Sequence, residues 1–526
     1  MLRKIITISL LAGLTASCTK NFQTLNVNPT APATVPLDYL FAQSQLLYAG
    51  SAGDPGYFEW RANLYYSMPI VQQMASLGTT YNGDKYVWSN EASGAYFGTS
   101  TGSGNYPNSV KNLVNLIYQA RLDSVKNVNI LSMARITKVM LMSIMTDLYG
   151  DIPYFQAGLG YISGTLTPAY DPQKSIYPDL LNELSQAGAA LTTSAYIPSA
   201  SDFAFSGNIT SWKHFANSLM LRLAMRLQKV DPTSAAAWAT RAISGGVMTS
   251  NKETYLLNYP GGGTASINPH SYNLGPSDKV ARNVVAGAVL QWSNTFINTM
   301  KARQDPRIGM VSNIGVTQTT DNQILMGDSV GSHQLGLPNG LDNAPAGTNI
   351  SQYSVMNPLI FKSTAPDIIL SYAEVEFLKA EAEARGYVTG TPATEYALGQ
   401  EAALQQMSSF NAAFAFTPAQ VTAYQTANPY PTTGLEDGVK AIQTELWLHW
   451  GDTFNGYEAW ASYRRTGYPV LTPVNYPGNA TNGTIPRRLQ YPSEQKTLDA
   501  AGYQAANGRM GDDVMTTRVW WDGGKD

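Results

Sequence analysis

Few side chains in this sequence are spaced to break a bond, and many are of types that could hold a sugar. The four histidines, His214, His270, His333 and His449, lie far apart and show no H-x-x-x-H spacing, so no metal centre is expected. Gly98-Thr99-Ser100-Thr101-Gly102 matches G-x-S-x-G literally. A nucleophile elbow needs a strand before it and a helix after it, and this stretch is a Gly/Ser/Thr-rich loop. Glu436 and Asp437 could flank a glycosidic bond, but they read better as the acidic first turn of a helix. Phosphate-cradling loops are absent, and no catalytic residue, metal ligand or cofactor is assigned. The stronger signal is YNGDKYVWSN at 81–90. Tyr81, Tyr86 and Trp88 offer faces that stack on sugar rings, while Asn82, Asp84 and Asn90 offer hydrogen bonds to hydroxyl groups. The competing expectation is that these aromatics pack the loop onto its scaffold or onto a protein partner. Loops 259–276 and 331–347, with Tyr272 and His333, are the candidates for an opposite wall.

One further residue carries chemistry of a different kind. Cys18 is the single cysteine of the 526 residues, so no disulfide can form within the chain. It follows a basic pair, Arg3 and Lys4, and an apolar stretch from Ile5 to Ala16 that is far shorter than the roughly 20 residues of a membrane span. This is the pattern of a signal peptide. Leu14-Thr15-Ala16-Ser17-Cys18 is similar to a bacterial lipobox, with Thr15 where Leu is more usual. Residues 1–17 are therefore expected to be removed, Cys18 to carry lipid, residues 18–36 to form a tether, and 37–526 to form one domain. No other apolar run approaches spanning length.

Removing residues 1–17 leaves 32 Lys and Arg against 37 Asp and Glu, a net charge of −5. That weak acidity gives no footprint for nucleic acid or anionic lipid. Charged residues make up 13% of the chain, about half the usual share. Tyr, with 31 copies, and Asn are used heavily instead. Such a surface suits uncharged polar ligands.

The elements that must position these groups read as helices. Ile136, Met140, Ile144 and Leu148 share a face of a helix over 131–149, ended by Gly150 and Pro153. Trp212, Phe215, Leu219, Leu223 and Leu227 form the stripe of a helix over 211–230. Segment 371–385 opens with a capping-box spacing, Ser371 and Glu374. It carries two stripes, one running through Ala373, Phe377 and Ala380 and one through Val375, Leu378 and Ala382, as a helix gripped on two sides would. A helix over 394–409 completes a hairpin about the size of a tetratricopeptide unit. Further helices are expected at 37–49, 58–77, 108–127, 175–191, 234–244, 284–302 and 437–462. Between them, 78–107, 150–173, 246–283, 308–366 and 470–526 lack a period and are rich in Gly, Asn, Pro, Ser and Tyr. The fold class expected is all-α, a helical scaffold displaying long irregular loops.

In this order, several segments make the chain resemble the SusD/RagB family of outer-membrane nutrient-binding lipoproteins, in its SusD-like branch. They are Asn26-Val27-Asn28-Pro29, TDLYGDIPY at 146–154, WKHFANSLMLRLAMR at 212–226, Asp305-Pro306-Arg307, SYAEVEFLKAEAEARGY at 371–387, EAWASYRRTGYP at 458–469 and IPRRLQYPSEQ at 485–495. Most of these motifs have structural readings: Arg464 and Arg465 lie in a last helical turn, where cations suit the dipole, and Gly467 and Pro469 end that helix. The resemblance implies tetratricopeptide-like helix pairs with an irregular ligand-binding face. It also implies capture of oligosaccharide, or in some members peptide, at the cell surface, and a SusC-type TonB-dependent barrel as partner. Thr19-Lys20-Asn21-Phe22-Gln23 lacks the acidic residues that often accompany surface display. Two other readings compete: a lipid-anchored all-α glycoside hydrolase, and a helical-repeat adaptor whose ligand is another protein.

Overall fold

The computed structural model describes residues 35–48, 59–77, 83–97, 105–261, 267–274, 290–318, 324–343 and 345–525. Cys18, the tether up to residue 34, the Gly98–Gly102 motif, Tyr81 and Asn82 lie outside them. Among the described residues, fourteen α-helices have eight or more residues. They are α1 (Leu37–Tyr48), α2 (Asn90–Phe97), α3 (Asn105–Arg121), α4 (Val128–Tyr149), α5 (Gln173–Ala190), α6 (Ile209–Arg226) and α7 (Pro232–Ser244). Then follow α8 (Asn294–Ala302), α9 (Tyr372–Ala384), α10 (Pro392–Gln406), α11 (Pro418–Ala427), α12 (Leu435–Asp452), α13 (Gly456–Thr466) and α14 (Ala500–Met510). The strands described are two to four residues long and pair as antiparallel two-stranded ribbons, such as Met74–Ser76 with Leu290–Trp292. The fold is all-α, with α3–α4, α4–α5, α6–α7 and α9–α10 packed as successive helical pairs.

The expected apolar stripes are the buried ones. Trp212, Phe215, Leu219 and Leu223 of α6 have no more than 1% of their surface exposed, and both stripes of α9 are inside. α9 packs against α10 on one side and α12 on the other. Helix α4 is long and apolar enough to cross a membrane, contrary to the expectation that no such run exists beyond the N-terminus. Its 18-residue apolar window is 78% buried within the protein, which makes it the central helix of this core. The helix expected over 437–462 is two helices. Phe454 adopts φ +57° at the break, where Asn63 donates to the Phe454 carbonyl at 2.5 Å and accepts from the Gly456 N–H at 3.0 Å. Segment 58–77 is likewise broken: Glu59–Ser67 is π-helical, one α turn follows at Met68–Ile70, and the chain then enters a short strand.

The recurring motifs meet in one buried charge network. Arg222 grips the Glu374 carboxylate in a fork, at 2.5 and 2.7 Å, and reaches Glu458 at 3.3 Å. Arg226 binds Glu458 at 2.5 Å and Asp147 at 3.1 Å. Asp147 also accepts from Tyr177 and from the Trp521 indole at 2.7 Å. Arg464 donates to the Asp147 carbonyl at 2.6 Å. Half of the expected capping box forms: Ser371 accepts the Glu374 N–H at 3.1 Å, while the Glu374 side chain turns to Arg222 and the Trp450 indole instead.

A second clamp joins α9 to α13. Arg465 grips Glu381 at 2.5 and 2.7 Å, with Arg385 and Gln443 adding bonds at 2.8 Å. Burial pushes the Glu381 carboxyl up, but Arg465 and then Arg385 outweigh it and bring it down to about 2. A carboxyl that titrates lower in the folded than in the unfolded chain stabilises the fold above its ordinary range near 4.5. That contribution is lost as pH falls toward 2 and is worth about 3 kcal/mol. Urea unfolding between pH 5 and 2.5 should show this loss, and Glu381→Gln should flatten that part of the profile. An unchanged slope in the variant would show that the clamp adds nothing.

Candidate functional site

The segment 83–90 is built into the surface by loops far away in sequence. Gly83 opens a short helical turn whose backbone lies so close to Tyr66 that a Cβ would sit 1.9 Å from the Tyr66 carbonyl oxygen. Asp84 is fully buried. Its Oδ2 accepts from the N–H groups of Gly340 at 3.1 Å and Ser76 at 3.3 Å, and from the Asn339 amide at 3.4 Å. Burial pushes its carboxyl up to about 6, with those backbone donors holding it back. Lys85 donates to Asp342 at 2.5 Å and lies 5.1 Å from the centre of the Tyr476 ring. Tyr86 is fully buried at φ +54°, its hydroxyl accepting from the Val474 N–H at 3.3 Å and its carbonyl from the Ala480 N–H at 2.8 Å. Asn90 pairs with Ser493 and Glu494.

Of the residues expected to meet ligand, Asp84 and Tyr86 thus lie inside the protein in this structure. They hold the loop instead of presenting themselves to solvent, because the buried turn brings them onto the backbone of 339–340 and 472–480. Among the described aromatic residues of the set, Trp88 reaches the surface, with 38% of its area exposed. The segment named as an opposite wall, 331–347, does meet this loop, through Asn339, Gly340 and Asp342. His333 lies at the surface, paired with Asp328 at 2.6 Å. The Tyr272 side chain lies outside the described residues.

The groups considered for chemistry are engaged elsewhere. His449 is buried against the Ser371 hydroxyl at 2.6 Å, and burial, assisted by Arg307, lowers it to about 3, so it is neutral. His270 pairs with Glu59 at 2.9 Å, and His214 with Glu253 at 2.8 Å. Glu436 accepts from the Tyr468 hydroxyl and Asp437 from Thr433, both exposed at the start of α12. Among the described residues, no group of three or more His, Cys, Asp or Glu is placed to hold a metal ion. Aromatic side chains that sequence reasoning missed are exposed in the loop 153–168, where Phe155 and Tyr161 stand out of a Gly-rich stretch expected only to be irregular.

These features define a helical-pair scaffold that displays aromatic side chains on long, well-anchored loops. A family model described as SusD-like_2, starch-binding associating with outer membrane, matches residues 56–492. The chain belongs to this SusD-like family. Among solved structures, a chitin-binding protein aligns with a TM-score of 0.78 at 29% identity, covering 93% of this chain and 100% of its own. A Bacteroidetes SusD-like protein aligns at 0.80 and 24% identity, covering 93% and 100%. A chitin-binding SusD homologue from Flavobacterium johnsoniae aligns at 0.70 and 24%, covering 92% and 98%. No curated protein matches the chain significantly.

Proposed function

We propose that this protein captures oligosaccharides at the cell surface and passes them to a SusC-type TonB-dependent outer-membrane transporter, without catalysis of its own. The observation that carries the reading is the family match over residues 56–492, whose description is starch-binding and outer-membrane association. Relatives named as chitin-binding share the whole architecture, and the engagement of the candidate histidines and carboxylates within the fold favours binding over chemistry. In this reading Cys18 carries the lipid, residues 1–17 are cleaved, and 18–36 tether the domain 37–526 to the outer membrane. Peptide is the alternative ligand class within the same role.

Trp88 is assigned the stacking contact, Tyr81 and Asn82 are assigned to the ligand from the sequence alone, and Asp84 and Tyr86 are the supports that hold the loop. A partly exposed indole loses about 1.4 kcal/mol of stacking when truncated, a tenfold change in affinity. Trp88→Ala should therefore weaken binding of the cognate oligosaccharide about tenfold in a calorimetric titration. Its thermal midpoint should stay within about 2 °C of the parent, because a partly exposed ring carries little core packing. A variant of full affinity would remove this loop from the site.

A further inference from the structure

The loop 153–168 leaves the core through the ribbon Ile152–Pro153/Tyr170–Asp171 and lies across α3 and α4. Gly158, at φ +75°, holds it against α3, where a Cβ would meet Val114 at 3.0 Å. Three abutting cavities run beneath and beside it. One of about 510 Å³ is walled by Phe97, Tyr170 and Leu498. One of about 290 Å³ lies over Lys111 and Asn115. The third, of about 300 Å³, has Lys138 and Arg121 on its wall. The first and third share Ala157, the first and second share Lys111, Gly158 and Tyr161, and the second and third share Ile162, so the three adjoin along one loop as a groove. Its rim exposes large apolar side chains: Tyr161 at 91%, Phe155 at 51%, and Leu166, Leu498 and Tyr118. A contiguous patch of this kind on a soluble domain marks a binding site more often than a chance surface.

The charges in the third cavity are unequally engaged. Arg135 grips Glu183 in a fork at 2.7 and 3.0 Å, and Asp179 accepts the Tyr154 hydroxyl at 2.7 Å. The Lys138 ammonium sits 5.1 Å from the centre of the Tyr154 ring, and among the described residues neither it nor the Arg121 guanidinium donates a hydrogen bond to an acceptor. Lys138 and Arg121 thus line this cavity without an acceptor of their own, while its two carboxylates, Glu183 and Asp179, are already engaged. Burial holds the Lys138 ammonium below its usual range, with Glu183 and Asp179 only partly offsetting it. An anion seated beside it would relieve that cost.

We propose that this groove is a second saccharide site, separate from the Trp88 loop, and that it takes an acidic sugar. The ligand carboxylate pairs with Lys138 and Arg121, its ring lies on Phe155 and Tyr118, and the following sugars run past Tyr161 toward Leu498. The choice of a saccharide over another anion rests on the function proposed above. The cavity volumes, at the lower end of those that hold small ligands, favour single sugar rings over a folded protein element.

The test uses the purified mature chain, titrated calorimetrically with an oligogalacturonate and with a neutral oligosaccharide of the same length. The oligogalacturonate should bind, and its affinity should fall about tenfold in both Lys138→Met and Phe155→Ala. Binding should weaken several-fold between 50 and 500 mM salt, and Trp88→Ala should leave it unchanged. Arg121→Gln, at an exposed position, should give a smaller loss in the same direction and guards against a folding defect in Lys138→Met. No oligogalacturonate binding would overturn the proposal, as would binding indifferent to both groove variants. Groove variants that lose capture of the barrel while keeping sugar affinity would also overturn it and make the groove a protein contact. Loss of neutral-sugar binding in Trp88→Ala bears on the first site alone, so the two readings fail separately.

Discussion

Glu458→Gln should destabilise the protein by about 3–5 kcal/mol, the cost of leaving a buried charge without its partner. Glu458 is 4% exposed and lies between Arg222 and Arg226. Burial pushes its carboxyl up, and the two guanidinium groups outweigh this and hold it below the usual range, so it is charged at neutral pH. Glutamine keeps the shape and removes the charge, leaving Arg222, Arg226 and Arg464 against Asp147 and Glu374. Domains of this kind are stable by only about 5–15 kcal/mol in total, so the loss is a large share. Urea unfolding followed by tryptophan fluorescence should show a lower midpoint with an unchanged slope. Adding Arg226→Met to Glu458→Gln should cost less than the two single changes summed, since the pair is then removed together. A single variant within 1 kcal/mol of the parent would show that the network is not what joins the helices.

Cys18→Ala should move the protein from the membrane fraction to a soluble one. The basic pair Arg3 and Lys4, the short apolar stretch and the small residues before Cys18 carry the proposal of a cleaved signal ending at a lipid-modified cysteine. Helix α4 does not offer an alternative anchor, because it is the core of the folded domain. The expected result is essentially complete release on fractionation of cells expressing the variant, with the carbohydrate affinity of the released chain unchanged. Retention in the membrane fraction would contradict the lipid assignment and would point to the partner barrel as the anchor.

Much of the scaffold was legible because helical periodicity is a local signal. The stripes of α6 and α9, and the helix ends at Gly150 (φ +86°) and Gly467 (φ +81°), follow from residues within a turn or two of each other. Arg464 and Arg465 were read as last-turn cations, and they do end α13. Their actual partners, the Asp147 carbonyl and the Glu381 carboxylate, lie 317 and 84 residues away in sequence, and no local pattern can indicate such pairings. The break between α12 and α13 is hidden for the same reason, since Asn63 supplies the hydrogen bonds that make it. Helix α14 was missed because AAGYQAANGRM holds two glycines and little apolar period; packing on Tyr170 and the Arg509–Asp151 pair sustains it.

The candidate site was legible in a narrower sense. Aromatic and amide content pointed to 81–90, but composition does not tell an exposed ring from a buried one. The positive φ at Tyr86 and the tight approach of Gly83 to Tyr66 turn Asp84 and Tyr86 inward and leave Trp88 facing out. The groove under 153–168 gave no signal in the sequence, because its cations and aromatics come from α3, α4 and a loop that are neighbours only after folding.

The central claim, binding of carbohydrate without chemistry, is tested most directly by titrating the purified mature chain with a panel of oligosaccharides while assaying the same mixtures for new reducing ends. The account expects saturable, one-to-one heat of binding to at least one member and no reducing ends above the blank after prolonged incubation. Sustained release of reducing ends that disappears on mutating a pair of carboxylates, or no binding to any saccharide in the panel, would contradict it.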